Sequence, residues 1–212
     1  MSEDHAREEI CRLGRSLFRR GLTFGASGNI SVRTRSGYLM TPTGVSLDRL
    51  DPERLSVLDM DGQPVAGDPP TKESDLHLAM YRERARSTAI VHLHSTHSVA
   101  VSCLEDIAPD DVLPPVTAYY VMRVGTLPLV PYLPPGDPAL AEAVGRMAGK
   151  HHAILLANHG PVVAGATLEA AGQAIEELEE TAKLYLLLRH EKFRFLTPEQ
   201  AAEIRRRFPG RS

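Results

Sequence analysis

Residues 89–94, Ala-Ile-Val-His-Leu-His, alternate in the way an extended strand requires. Successive side chains on a strand point to opposite faces. Ala89, Val91 and Leu93 then share one face, and Ile90, His92 and His94 share the other. Imidazoles two positions apart, with Cα atoms roughly 6.6 Å apart, can turn onto one ion at zinc–nitrogen distances of about 2.0–2.1 Å. The alternative is two unrelated histidines, one capping and one solvated. A third ligand favours the chelate, and Asn158-His159-Gly160 supplies one at the end of the apolar run Ala-Ile-Leu-Leu-Ala. Glycine beside His159 permits the tight backbone such a turn needs. Three protein ligands with an open fourth position describe a catalytic zinc rather than a structural one. His97 lies past the strand end, as a helix-start or supporting group. His5, His77, His151, His152 and His190 sit in helical or polar contexts and read as surface or packing residues.

Around this strand the chain alternates helices and strands. Ile10, Leu13 and Leu17 recur at helical spacing within residues 4–20, and Gly21 ends that helix. Asn-Ile-Ser-Val-Arg and Gly-Tyr-Leu-Met-Thr-Pro form a hairpin turning near Arg35-Ser36-Gly37. Residues 46–62 hold a short turn and the strand Ser-Val-Leu-Asp-Met. A Pro/Gly-rich loop, residues 64–70, leads into a helix from Ser74 to Arg84. After Ser95, Thr-His-Ser-Val-Ala-Val-Ser-Cys-Leu reads as a helix opening on a Ser or Thr cap. Leu-Pro-Leu-Val-Pro-Tyr is a short edge strand, because its prolines bar a central place. Pro138–Lys150 is a helix, and residues 153–160 are a buried strand running into a turn. Thr167 caps a long helix to about His190, with Leu168, Ala171, Ile175, Leu178, Ala182 and Tyr185 as its apolar stripe. Thr-Pro-Glu-Gln, residues 197–200, opens a last helix with a capping box. The hairpin argues for an α/β sheet that is not purely parallel.

Composition removes several classes. The formal net charge of −3 over 212 residues carries no polyelectrolyte signature for nucleic acid. No apolar run reaches the ~20 residues of a membrane helix, and the N-terminal stretch lacks a signal peptide's apolar centre. Cys11 and Cys103 form no CxxC pair, which reads as reduced thiols in a cytoplasmic protein. Three turns combine glycine or proline with hydroxyls or amides: Gly-Ala-Ser-Gly-Asn (25–29), Thr-Pro-Thr-Gly (41–44) and Pro-Pro-Thr-Lys-Glu-Ser (69–74). Successive N–H groups in such turns hold small anions, and the third opens a helix, where an anion is favoured. The first is neither a nucleophile elbow nor a Walker loop. Glu73 read locally is a carboxylate in a helix's first turn.

Taken together, Gly28-Asn29-Ile30-Ser31, Thr41-Pro42-Thr43-Gly44, Pro70-Thr71-Lys72-Glu73, His92-Leu93-His94 and Ala157-Asn158-His159-Gly160 resemble the class II aldolase/adducin family. They fall in the family's order over roughly residues 5–190. The resemblance implies one domain over residues 1–212, of α/β three-layer architecture: a central, mostly antiparallel sheet flanked by helices. It also implies a homotetramer with active sites between subunits. It assigns one zinc ion to His92, His94 and His159, with Glu73 as both metal-side carboxylate and catalytic acid/base. It assigns the phosphate-binding turns to Asn29, Thr43, Gly44 and Thr71. Lys72 departs from the fuculose-phosphate aldolase type, where a second small hydroxyl precedes the carboxylate, and suits a more anionic substrate.

The stretch from His94 to Leu104, with Asp-Val-Leu-Pro-Pro-Val-Thr-Ala-Tyr-Tyr (111–120), is similar to a narrower branch, the 3-oxo-tetronate 4-phosphate decarboxylases. That branch implies zinc-dependent loss of CO2 from a phosphorylated sugar acid, through a metal-stabilised enediolate, to dihydroxyacetone phosphate. Glu73, or a tyrosine from a neighbouring subunit, supplies the proton, with Tyr119 preferred over Tyr120. The nearest rival is a sugar-phosphate aldolase or a ribulose-phosphate 4-epimerase-like enzyme on the same zinc site. A different class is an adducin-like interaction module without metal, which the retained histidines and Glu73 argue against.

Overall fold

The computed structural model describes residues 2–208. Helix α1 (Glu3–Arg19) opens on Ser2, whose hydroxyl accepts from the His5 N–H, and it buries Ile10 and Leu17 completely. A fully buried leucine or isoleucine contributes about 1.5–3 kcal/mol over an exposed one. The hairpin follows as β1 (Asn29–Arg33) and β2 (Tyr38–Met40). Two short 3-10 turns, Leu47–Arg49 and Pro52–Arg54, lead to β3 (Ser56–Leu58). Then come β4 (Pro64–Ala66), α2 (Ser74–Glu83), β5 (Ala89–His92), α3 (Thr96–Ser102) and α4 (Ala118–Arg123). The chain continues through β6 (Leu129–Val130), α5 (Pro138–Ala148), β7 (Ala153–Leu156), β8 (Gly160–Gly165), α6 (Leu168–Leu188) and α7 (Pro198–Arg207).

Among the described residues the strands form one eight-stranded sheet in the order β4-β3-β2-β1-β5-β8-β7-β6. Every neighbouring pair is antiparallel except β6 with β7. The sheet divides two apolar clusters, as alternation on β5 requires. Ala89, Val91 and Leu93 join α1, α4 and α6 on one face, while Ile90 joins α2 and α5 on the other. This is the expected mostly antiparallel, helix-flanked α/β architecture.

Some elements differ from the sequence reading. Residues 64–66 pair as an exposed edge strand rather than a loop. Residues 153–160 split into β7, a turn at 157–159, and the start of β8. That last strand follows the turn signal and begins Gly-Pro, which disguised it. Residues 118–123 form α4, capped by the Thr117 hydroxyl, where the sequence reading places no element. Strand β5 ends at His92, so His94 is not part of it. Ser95 occupies the cap position of α3, but its side chain makes no capping bond. Glu179 of α6 supplies the acceptors instead, taking the N–H groups of His97 and Ser98 at 2.9 and 2.8 Å.

Candidate metal centre

One end of the sheet gathers the three histidines and Glu73. Register places Asn29, the first residue of β1, opposite His92, the last of β5. Leu156 at the end of β7 faces Gly160 at the start of β8. The turn between them carries His159, and its geometry is demanding. Asn158 has φ 56°, the one positive value among the described non-glycine residues. Gly160 has φ 145°, and a Cβ there would lie 2.3 Å from the Leu93 carbonyl oxygen. Glycine is therefore obligatory, because the turn presses against the backbone that carries His94.

The three imidazoles meet edge on. Nε2 of His92 lies 3.1 Å from Nε2 of His94 and 3.3 Å from that of His159, and the last pair is 3.1 Å apart. Glu73 closes the group, its Oε2 lying 3.3 Å from His92 Nε2 and its Oε1 3.2 Å from His159 Nε2. One ligand atom from each of the four residues falls within 4.8 Å of all the others. Four nitrogens at about 2.0–2.1 Å around a tetrahedral ion stand about 3.3–3.4 Å apart. The triangle of Nε2 atoms is thus close to the spacing a single small cation demands.

Protonation supports the same fit. His92 Nδ1 donates to the Pro161 carbonyl at 2.9 Å, which leaves its Nε2 lone pair facing the cluster. Burial, together with the charge of His92 and His159, pushes His94 down to about 4, so its ring is neutral. Burial would push the Glu73 carboxyl up, but the His92 and His159 rings beside it outweigh that and hold the group well below the usual carboxylate range. At His92 burial lowers and Glu73 raises, for a net upward shift, so a cation bound here takes the place of a proton between this ring and the carboxylate. Oε1 of Glu73 and Nδ1 of His159 are buried and find no hydrogen-bond partner among the described residues. A buried carboxylate oxygen without a donor, beside three converging nitrogens, is the donor set of a divalent metal.

The turns around this centre are locked together. Thr43 N–H donates to Pro69 O at 3.0 Å, Thr71 N–H donates to Thr41 O at 3.2 Å, and Pro42 bridges Pro70. The Thr41 hydroxyl accepts from Ile30 N–H at 3.1 Å, tying this pair of turns to β1. Thr43, Gly44 and Lys72 are exposed, while Thr71 is buried with its hydroxyl accepting from Glu73 N–H at 3.3 Å. Asn29 reaches from β1 to the carboxylate of the centre. Its side-chain amide is engaged inside the protein, donating to Glu73 Oε2 at 2.9 Å and accepting from His77 at 2.5 Å. Sequence reasoning missed His77, whose helical setting looked like packing. The structure also separates the two tyrosines. Tyr120 is buried in the core, whereas Tyr119 is exposed with its ring beside Arg123. Tyr119 lines a cavity with Arg20, His97 and Lys183, not the one of about 530 Å³ where His94 and His159 meet Phe24, Val99 and Tyr132.

This fold and this cluster define a class. Residues 8–186 match the class II aldolase and adducin N-terminal domain, and the chain belongs to that family. It is 49% identical to the 3-oxo-tetronate 4-phosphate decarboxylase of Pectobacterium atrosepticum over 204 residues, 96% of this chain and 94% of that one. Its fold superposes on the crystal structure of YgbL from Escherichia coli with a TM-score of 0.94 and 47% identity, covering 96% of this chain and 99% of that one. A solved L-fuculose 1-phosphate aldolase matches with a TM-score of 0.84 and 27% identity over 95% of each chain. Among the described residues, no helix is long and apolar enough to cross a membrane.

Proposed function

We propose that the chain is a zinc-dependent carbon–carbon lyase that converts a 3-oxo-tetronate 4-phosphate and a proton into dihydroxyacetone phosphate and CO2. The observation that carries this reading is the triangle of His92, His94 and His159 nitrogens closed by Glu73, in a chain 49% identical to a decarboxylase of that name. His92, His94, His159 and Glu73 would hold the cation, which would supply Lewis acidity for negative charge on the substrate oxygens. His92 is oriented by Pro161 O and His94 is kept neutral by burial, so both present lone pairs. Glu73 takes up or gives up a proton at Oε1, the oxygen free of hydrogen bonds. The exposed turn atoms of Thr43 and Gly44, with Thr71 and Lys72, receive the phosphate on the side of the centre away from β8.

The reading treats residues 1–212 as one domain that assembles as a homotetramer. Exposed Phe24 and Tyr132 beside the centre favour cover by another copy. Tyr119 is exposed and so available to reach a neighbouring copy's site as the proton donor. Free Cys11 and Cys103 fit a cytoplasmic setting.

The rival reading is an aldolase cleaving a ketose phosphate, favoured by the structural match to L-fuculose 1-phosphate aldolase. One product assay tests both. Purified, metal-loaded protein is given four-carbon 3-oxo acid phosphates of each stereochemistry and, separately, ketose phosphates. Equal CO2 and dihydroxyacetone phosphate without aldehyde is the expected result. Aldehyde from a ketose phosphate, with no CO2 from any acid, would replace the decarboxylase with the aldolase.

A further inference from the structure

Behind Glu73 runs a chain of buried polar groups that the reaction above does not use. Glu73 Oε2 accepts from Asn29 Nδ2 at 2.9 Å, and Asn29 Oδ1 lies 2.5 Å from His77 Nε2. His77 Nδ1 lies 2.7 Å from the Ser31 hydroxyl, which lies 3.0 Å from the Tyr81 hydroxyl. All five residues are buried, with Ser31 and His77 at 0% exposure. One strand and one helix build the chain: Asn29 and Ser31 share a face of β1, and His77 and Tyr81 stand one turn apart on α2. No apolar packing need calls for this arrangement. Burying so many polar groups is costly unless each is paired.

The direction of every hydrogen follows from one end. Ionised Glu73 can only accept, so Asn29 must turn its amide nitrogen toward it and its oxygen toward His77. His77 Nε2 must therefore carry a hydrogen. Burial, then the charge of His92, pushes His77 down to about 3, so the ring is neutral and Nδ1 is a bare acceptor. Ser31 donates to it, and its own oxygen accepts from Tyr81, whose other acceptor, Thr88 O, is more distant at 3.5 Å. Four hydrogens thus point the same way, from Tyr81 toward the carboxylate. Reversing any link would place lone pair against lone pair.

We infer that His77 is a positioning residue for Glu73, acting through Asn29 and backed by Ser31 and Tyr81. The chain ties down Oε2 as a permanent acceptor. It thereby leaves Oε1, the oxygen without a hydrogen bond, as the one that works at the centre. A rigid outer partner of this sort commonly changes activity by about 10- to 100-fold when removed. The inference rests on Glu73 being the working carboxylate of the proposed function, but the chain itself can be read without substrate.

The test has two arms on the full-length protein. In the first, ¹⁵N NMR of histidine-labelled, metal-free protein reads the His77 tautomer. The Nε2–H form is expected, with its Nδ1 signal moving in Ser31→Ala. An Nδ1–H ring would overturn the inference whatever the reaction proves to be. In the second, the metal-loaded parent is compared with Ser31→Ala, His77→Gln and His77→Leu on the substrate the product assay identifies. Ser31→Ala and His77→Leu should lower kcat about tenfold or more and shift the pH limb of kcat. KM should stay within about twofold and metal content should not change. His77→Gln, which keeps a donor toward Asn29, should recover part of the loss. Unchanged kcat and pH profile in Ser31→Ala and His77→Leu would overturn the inference. Should His77→Leu fail to fold, Ser31→Ala and the tautomer decide the outcome.

Discussion

His92 Nδ1 lies 2.9 Å from the carbonyl oxygen of Pro161, across the pairing of β5 with β8. The bond fixes the ring's orientation and its tautomer together, so Nε2 meets the Nε2 atoms of His94 and His159 as an acceptor. The purified protein should therefore hold about one divalent metal per chain, zinc first. His92→Ala, His94→Ala and His159→Ala should each lose it while circular dichroism stays that of the parent. Elemental analysis checks this, and stoichiometric metal in His94→Ala would remove that residue from the ligand set.

Glu73→Gln replaces the carboxylate with a group of nearly the same shape. Its loss should lower kcat by about 10²–10⁴, the usual contribution of a positioned acid or base. The chain should stay folded, because Thr71 still caps the turn through its hydroxyl. A kcat within a few-fold of the parent would reduce Glu73 to a helix-start charge.

Acid should destabilise the metal-free protein through its buried neutral histidines. Burial pushes His77 to about 3 and His152 to about 4, both below the ~6.5 of an unfolded chain. As the pH falls below about 6.5 the unfolded chain takes up protons that the folded one refuses, so stability is full above that value and drains below it. Each histidine costs about 1.4 kcal/mol per pH step until its folded value is reached. His92, raised by Glu73 against its burial, works the other way. Its contribution is complete below about 6.5 and fades as pH rises through the folded value, so it cannot offset the acid-side loss. Urea midpoints at pH 7 and pH 5 should show the drop, and level midpoints would mean these rings protonate without cost.

Glu179 should matter well beyond its own helix. Its carboxylate accepts from His97 N–H and Nδ1, and from Ser98 N–H and Oγ, at 2.7–2.9 Å. These bonds hold the start of α3, which leaves the centre two residues after His94. Glu179→Ala should cost about 2–3 kcal/mol, since it strands buried donors, and should weaken metal retention. Thermal melting with elemental analysis checks both. A melting point equal to the parent's would show that water replaces the carboxylate fully.

Much of the centre was legible because its ligands sit in compact motifs: His92 with His94, and His159 beside a glycine. The first pair does not share one strand, although alternation over residues 89–94 predicts it. His94 lies beyond β5, and its ring converges because Gly160 lets the 157–160 turn press against Leu93. What stayed hidden depends on residues distant in sequence. Glu179 caps α3 from 81 and 82 positions away, and His77 meets Asn29 and Ser31 across 48 and 46. No local pattern marks such pairs. Strand β8 was masked by its opening Gly-Pro, and α4 was too short to show a period.

Lys72 separates the two candidate reactions. It is exposed in the turn between buried Thr71 and Glu73, and the adjoining Gly136 has φ 79° with the Lys72 carbonyl oxygen 3.2 Å from where a Cβ would stand. The backbone is thus held closely while the ammonium is free to meet an anion. In the decarboxylase reading it belongs on the phosphate side. A lysine gripping the scissile carboxylate would stabilise the ground state and slow CO2 loss. Lys72→Ser restores a small hydroxyl and leaves His92, His94, His159 and Glu73 untouched. Loss of one charge-assisted hydrogen bond, roughly 1.5–3 kcal/mol, should raise KM for a 3-oxo-tetronate 4-phosphate about tenfold or more. kcat and metal content should change little. Steady-state kinetics following CO2 and dihydroxyacetone phosphate together measure this. If KM holds while kcat falls, Lys72 acts at the reacting carbon instead of the phosphate, and the substrate lies the other way round in the site.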